Sequence, residues 1–329
     1  MEQVTTENLE PTADAGSAQA GRERKLPTGS DRVYRNTLWT VLKLVGVIVF
    51  YFIFVLVKNS LPGWQYAGWK MFTTGTWSFG DNKFSVWPLV LGTVLTTFFA
   101  LLMAVPVGVG AALAIVYLIP RRLRLAVSSL IELLAVVPSI VYGVWGALVM
   151  AGWLGNKGEP WLKSVAHGAW PFNGATSGYG MTLGSIVLAV MIMPIVTAIS
   201  RDVIVAVPKE LTEGALSLGA TRGQVIRKVI LPSCKTGIVG AVTLATGRAL
   251  GETIALATVL GGVTQMSPWP DRAFSTGSTL AAEIAIDFGA ITGKAGNVLF
   301  ALSLILMLIV GVVTYFARSI IRRNERQFR

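Results

Sequence analysis

Six stretches of the chain are long and apolar, and polar or glycine- and proline-rich sequence separates them. They fall at Leu38–Val57, Pro88–Ile119, Leu125–Trp153, Met181–Ser200, Gly237–Gly262 and Val298–Ala317. Each has the roughly 20 residues that a helix needs to cross a bilayer core, so the pattern predicts six transmembrane helices in an all-α polytopic membrane protein. The second, at 32 residues, is longer than a core of about 30 Å takes at about 1.5 Å per residue. It must tilt, kink or protrude, and Pro106 with Gly108 and Gly110 marks the natural place for a kink.

Between the fourth and fifth stretches lies a polar island, Val207–Pro232. Pro208 suits a first helical turn, where its missing N–H is not needed, and Gly214 is the one breaker between Lys209 and Leu218. A short helix is predicted there. Glu210 and Glu213 occupy its first turns, at the positive end of the helix dipole, and Gly219 can take the left-handed conformation that ends it. Ala220–Pro232 then reads as a second, basic helix carrying Arg222, Arg227 and Lys228.

The spacing in this island resembles the EAA loop of ABC-importer permeases, written EAA, three residues, Gly, nine residues, Ile-x-Leu-Pro. Glu213-Gly214-Ala215, Gly219 and Val229-Ile230-Leu231-Pro232 fall on that spacing, with Gly214 and Val229 as the departures. The resemblance implies a cytoplasmic coupling helix that docks on an ATPase. The plain alternative is an amphipathic helix lying in the membrane interface.

With 53% hydrophobic and 14% charged residues, the chain lies far from average globular usage, where about a quarter is charged. The net charge of +11 raises nucleic acid as a partner, but Lys and Arg gather at the ends of the apolar runs, which fits a lipid bilayer instead. A single cysteine, Cys234, excludes an internal disulfide, and a lone His167 gives a metal no second imidazole. There is no phosphate-cradling G-x-x-x-x-G-K-[ST] run and no H-E-x-x-H pair, so the sequence points to no enzyme and no cofactor.

Basic residues also orient the spans. Arg22, Arg24 and Lys25, then Arg121, Arg122 and Arg124, then the island, then Arg318 to Arg329 share one side and outnumber those opposite, which include Lys58, Lys70, Lys83 and Lys157. Both termini and the island are therefore expected in the cytoplasm. The expected organisation is a disordered tail over 1–37, a first helix over 38–57, an outer loop over 58–87, a core over 88–318 and a basic tail over 319–329. Trp64, Trp69, Trp77, Trp153, Trp161, Trp170 and Trp269 are read as interfacial anchors of the outer loops.

Charges within spans are scarce, because each is costly in lipid unless paired or facing water. Arg248 and Glu252 stand four apart in the fifth stretch, and Glu132 lies in the third. One reading is a neutralised pair on one helix face that ties the bundle together. The other is a guanidinium offering planar donors to a tetrahedral oxyanion in transit, oriented by Glu252. Glu132 either lines a path or meets an arginine near the cytoplasmic end. Ser139 and Tyr142 either touch substrate or satisfy backbone freed beside Pro138.

Gly247-Arg248-Ala249-Leu250-Gly251-Glu252-Thr253 resembles the RAxGET element of phosphate-type ABC permeases. Val137-Pro138-Ser139-Ile140-Val141-Tyr142-Gly143 resembles their third-span P-S-[IV]-V-[YF]-G element, and Gly92-Thr93, Ala104 to Gly108 and Leu280 to Ala285 fit further segments. The resemblance implies the type I ABC-importer permease fold and alternating access to a phosphate path containing Arg248, Glu252, Thr253, Ser139 and Tyr142. It also implies a second permease subunit, cytoplasmic ATP-binding subunits and an extracytoplasmic phosphate-binding protein as partners. The rival readings are a molybdate or sulfate permease, a membrane-embedded enzyme, and a channel.

Overall fold

The computed structural model describes residues 29–73, 75, 77, 83–169, 172, 174–261, 274–289, 293 and 296–327. The tail before Gly29, Trp170 and Trp269 lie outside them. Ten helices organise the description: α1 (Gly29–Ala67), α2 (Trp87–Tyr117), α3 (Arg121–Val136), α4 (Ser139–Val165), α5 (Met181–Val205), α6 (Lys209–Ser217), α7 (Arg222–Leu250), α8 (Ile254–Val259), α9 (Leu280–Asp287) and α10 (Gly296–Gln327). Five of them are long and apolar enough to cross a membrane, and a sixth crossing results when α3 and α4 count as one bent span.

Contacts divide the chain at Phe54–Val55. The first unit holds the N-terminal part of α1, where Val47, Phe50, Tyr51 and Phe52 are exposed as a lipid-facing surface would be. Everything else belongs to the second unit. α1 is longer than the expected 38–57 and runs through Pro62 to Ala67.

Within the second unit α5 is the central element, the most enclosed of the apolar helices. It packs on α2 through a row of small residues spaced one turn apart: Ala100, Ala104 and Ala112 are fully buried, and a Cβ on Gly108 would stand 3.0 Å from the Val196 side chain. Such small residues let helix backbones approach closely where no hydrophobic driving force operates between them. α2 stays one helix through Pro106.

Two predicted spans fold otherwise. The third does not run straight from Leu125 to Trp153 but bends by 88° between α3 and α4. Pro138 is the cause: it lacks an N–H and forces Val137 out of the helical region, and the two residues have ψ of 136° and 130°. Beyond the bend, α4 widens into π-helical turns at Gly146–Met150 and Leu154–Gly158.

The fifth span begins and ends earlier than Gly237–Gly262. The basic helix expected to stop at Pro232 continues into it, so that α7 is continuous from Arg222 to Leu250. A π-helical turn at Ile226–Ile230, closed by the Leu231 N–H donating to the Ile226 carbonyl, precedes Pro232. The wider turn brings in a proline that would crowd an ordinary α-turn. At the other end α7 stops at Leu250, and Gly251–Thr253 is not helical before α8 begins.

Candidate functional site

The island folds much as its local signals predict. Pro208 is the N-cap of α6, and Leu218 caps its C-terminus. Gly219 has φ +81°, and its N–H donates to the Leu216 carbonyl at 3.0 Å. No side chain of α6 is buried, and Leu211, Leu216 and Leu218 face out beside Glu210 and Glu213. Gly214 also lies open, with nothing within 4 Å of a Cβ placed on it, and Ala215 packs onto a cluster with Val225 and Ile230. The restart of the chain is fixed by a reciprocal cap that the Thr221-x-x-Gln224 pattern signals and the sequence reading missed. The Thr221 N–H donates to Gln224 Oε1 at 2.9 Å, and the Gln224 N–H donates to Thr221 Oγ1 at 3.4 Å.

Arg248 and Glu252 do not form the pair their spacing suggested. The i, i+4 argument requires a continuous helix, and the helix ends between them at Leu250. Glu252 is buried, and its Oε1 accepts from the Ala255 N–H at 3.3 Å, so it caps the start of α8. The Thr253 hydroxyl donates to the Gly251 carbonyl at 3.1 Å within the same turn. Arg248 is exposed and makes no ion pair or hydrogen bond among the described residues.

Arg248 instead lines an open groove of about 590 Å³ between α7 and α10, with Thr243, Thr314 and Arg318 among its other walls. Gly240 and Gly247 form part of its floor, and a Cβ on either would meet nothing within 4 Å. The Thr243 hydroxyl donates to the Val239 carbonyl at 2.7 Å, leaving its lone pairs as acceptors.

The Pro138 bend lies close by. Tyr142 donates its hydroxyl hydrogen to the Leu134 carbonyl at 2.7 Å, an acceptor that Pro138 has no N–H to serve and that otherwise holds only a long bond from the Val137 N–H at 3.4 Å. It is near enough to Arg248 for the guanidinium's charge to act on its phenol. Gly143 lets α4 approach α8 so closely that a Cβ there would stand 2.8 Å from Ala255 Cα. Ser139 is half-buried at the start of α4. Glu132 meets an arginine: Arg201 Nη1 lies 3.0 Å from Glu132 Oε1, and Arg201 also holds Asp202 at 2.7 Å.

Other residues carry roles that periodicity did not signal. Thr93 Oγ1 accepts from the Leu280 N–H at 2.9 Å and so helps start α9. Gly92 lets this contact form, since a Cβ there would run into the Ser278 carbonyl. Trp77 is no interfacial anchor: it is 1% exposed, packs edge-on to Phe84, and donates from Nε1 to Asp287 Oδ2 at 3.3 Å. Trp69, Trp153 and Trp161 are exposed.

Residues 104–327 match the family model described as "Binding-protein-dependent transport system inner membrane component". Over 317 residues the chain is 34% identical to "Phosphate transport system permease protein PstC" of Pasteurella multocida, covering 92% of this chain and 98% of that one. It is 36% identical over 301 residues to the protein of that name from Mesorhizobium japonicum, covering 90% and 91%. A protein named PstC 1 from Mycobacterium tuberculosis is 39% identical over 247 residues, 73% of this chain and 72% of its own. Among solved structures, a bacterial ABC transporter involved in the import of the acidic polysaccharide alginate shares the fold, with a TM-score of 0.56 at 17% identity over 89% of this chain and 98% of that chain.

Proposed function

The chain belongs to the binding-protein-dependent transport inner membrane components and, within them, to the PstC phosphate permeases; on that premise we propose how it carries and couples transport. It is a multi-pass inner-membrane subunit of an ABC importer for phosphate, a transport subunit and not an enzyme. Its partners include an ATPase and a substrate-binding protein. In our reading these are PstB-like ATP-binding subunits and a PstS-like phosphate-binding protein, and a PstA-like permease completes the membrane pair. Both termini and α6 face the cytoplasm, as the distribution of basic residues favours. α6 docks on the ATP-binding subunit, with Glu210, Glu213, Gly214, Ala215, Gly219 and Pro232 shaping the loop. ATP-driven closure of the ATPases moves α6, and the spans rock about the central path to give alternating access.

Phosphate passes Arg248. The observation that carries this reading is a guanidinium without a counter-ion among the described residues, exposed in a groove that two apolar helices, α7 and α10, line. A cation so placed is costly unless an anion or water meets it, and its planar donors match two oxygens of a tetrahedral oxyanion. Tyr142, Glu252 and Thr253 hold the bend and the turn that border it, and Ser139 stands half-buried at the start of α4.

Phosphate uptake by cells, measured with membrane abundance, tests the assignment. Arg248→Met should lower uptake about 10- to 100-fold, the range for losing hydrogen bonds from a charged donor. Arg248→Lys should lower it less, since an ammonium keeps the charge without the fork. Adding Glu252→Gln to Arg248→Met should restore nothing. Substantial uptake by that double variant would overturn the pathway role.

A further inference from the structure

The groove that holds Arg248 carries a second guanidinium and, among the described residues, no carboxylate. Arg318 lies on α10, one residue before the end of its apolar span, and Thr314 one turn earlier shares its face. Neither makes a hydrogen bond or ion pair among the described residues. Arg201 is the contrast: also at the end of an apolar helix, it is held by Glu132 and Asp202. Two like charges lining one groove repel each other, and an anion between them lowers that repulsion.

The walls suit an anion that moves. From Gly240 to Arg248 the α7 wall is about 12 Å long, at about 1.5 Å per residue. In the orientation proposed above, α7 runs away from the cytoplasm and α10 returns to it, which puts Arg318, one residue before the end of its span, near the cytoplasmic surface. The Thr314 hydroxyl is an uncommitted donor, and Thr243 offers acceptors to the protons of a hydrogenphosphate.

We infer that Arg318, with Thr314, forms a second oxyanion station on the cytoplasmic side of Arg248, from which inorganic phosphate is handed out of the path. The inference deepens the pathway reading and rests on it. Two weaker sites in series serve transport better than one tight site, because an ion must be bound well enough to enter and loosely enough to leave. The same phosphate chemistry could come from the headgroup of an anionic lipid in the inner leaflet, since Arg318 stands near that surface.

The test uses the whole importer, this chain with its partner subunits and binding protein, reconstituted in vesicles of zwitterionic lipid or of zwitterionic and anionic lipid. ATP-driven import of inorganic phosphate is the readout, with co-purification confirming assembly. Arg318→Gln should lower the kcat for import about tenfold in both lipids, the loss expected for one charge-assisted contact. KM for external phosphate should stay unchanged, because the substrate is already committed when it arrives. Arg318→Lys should recover part of the loss, and Thr314→Val should lower kcat by less than Arg318→Gln. Unchanged import by Arg318→Gln overturns the station, as does a loss seen only with anionic lipid, which would mark a headgroup site. Loss of assembly in Arg318→Gln together with normal import by Arg318→Lys and Thr314→Val also overturns it. Normal import by Arg248→Met with a slow Arg318→Gln would sink the role of Arg248 and leave Arg318 standing.

Discussion

Two polar interruptions of apolar sequence, the Val207–Pro232 loop and the Gly247–Thr253 turn, both carry glycine and glutamate, yet they are held in opposite ways. In the loop, Gly219 takes a left-handed φ of +81° in open space, and Glu210 and Glu213 stand in solvent. In the turn, Gly251 has an ordinary φ of −93°, and Glu252 is buried with its carboxylate on a neighbouring N–H. Where polar sequence meets water, local conformational preference decides its shape. Where it is buried, each polar atom must find a partner, and the partner decides.

The sharpest way to break the loop half of this comparison is Gly219→Leu. A left-handed residue with a Cβ costs about 1–2 kcal/mol, and nothing nearby compensates. The expected outcome is near-complete loss of phosphate uptake with normal insertion, and reduced recovery of the ATPase subunit in pull-downs. Gly219→Asn, which tolerates the left-handed region, should keep most of the activity. Normal uptake and normal recovery for Gly219→Leu would remove the coupling role from the loop.

Glu252 tests the other half with a smaller effect. If it serves as a cap, Glu252→Gln keeps an acceptor for the Ala255 N–H and should import phosphate nearly as the parent does, whereas Glu252→Ala should lose about 1 kcal/mol of stability and several-fold in uptake. If instead its charge were needed to balance Arg248, Gln and Ala would be equally poor. Thermal stability in detergent, read beside uptake, separates the two.

The same contrast explains what could be read from the sequence. The apolar runs gave the crossings, because length and apolarity alone mark a helix in lipid. The loop was legible because Pro208, Gly219 and the glutamates act within a few residues of themselves. The site was legible in its members and not in its geometry. Arg248 and Glu252 looked like a helical pair because the apolar run continues past Leu250, although Gly251 caps the helix there. Beyond that stop Gly143 brings α4 against α8, a contact made across more than a hundred residues of chain. Pro138 did announce its bend, by the rule that a proline removes one helical bond and displaces the residue before it, and the apolar run concealed it. Trp77 shows the converse error: an indole suits an interface, but its ring is buried and its N–H is taken by Asp287.

The smallest expected effect concerns a buried carboxylate on α9, where the rule drawn from Glu252 meets a second ionisable group. Burial pushes the Glu283 carboxyl up to about 7, against a weaker opposing pull from Ser278, and the Asp287 carboxylate one turn along adds to the rise. Asp287 is raised as well, by burial first, with the Trp77 N–H opposing it. Because the folded value for Glu283 lies above the unfolded one, the fold prefers the protonated acid. Its contribution is fully present below the unfolded value near 4.5 and is lost as pH rises through about 7. The detergent-purified complex should therefore lose a few degrees of Tm between the low and high ends of that window. Glu283→Gln, neutral at every pH and able to keep a hydrogen bond, should flatten the fall. If the fall with pH were as steep in Glu283→Gln as in the parent, the buried carboxyl would not be its cause, and the rule that burial and partners hold this group would be wrong.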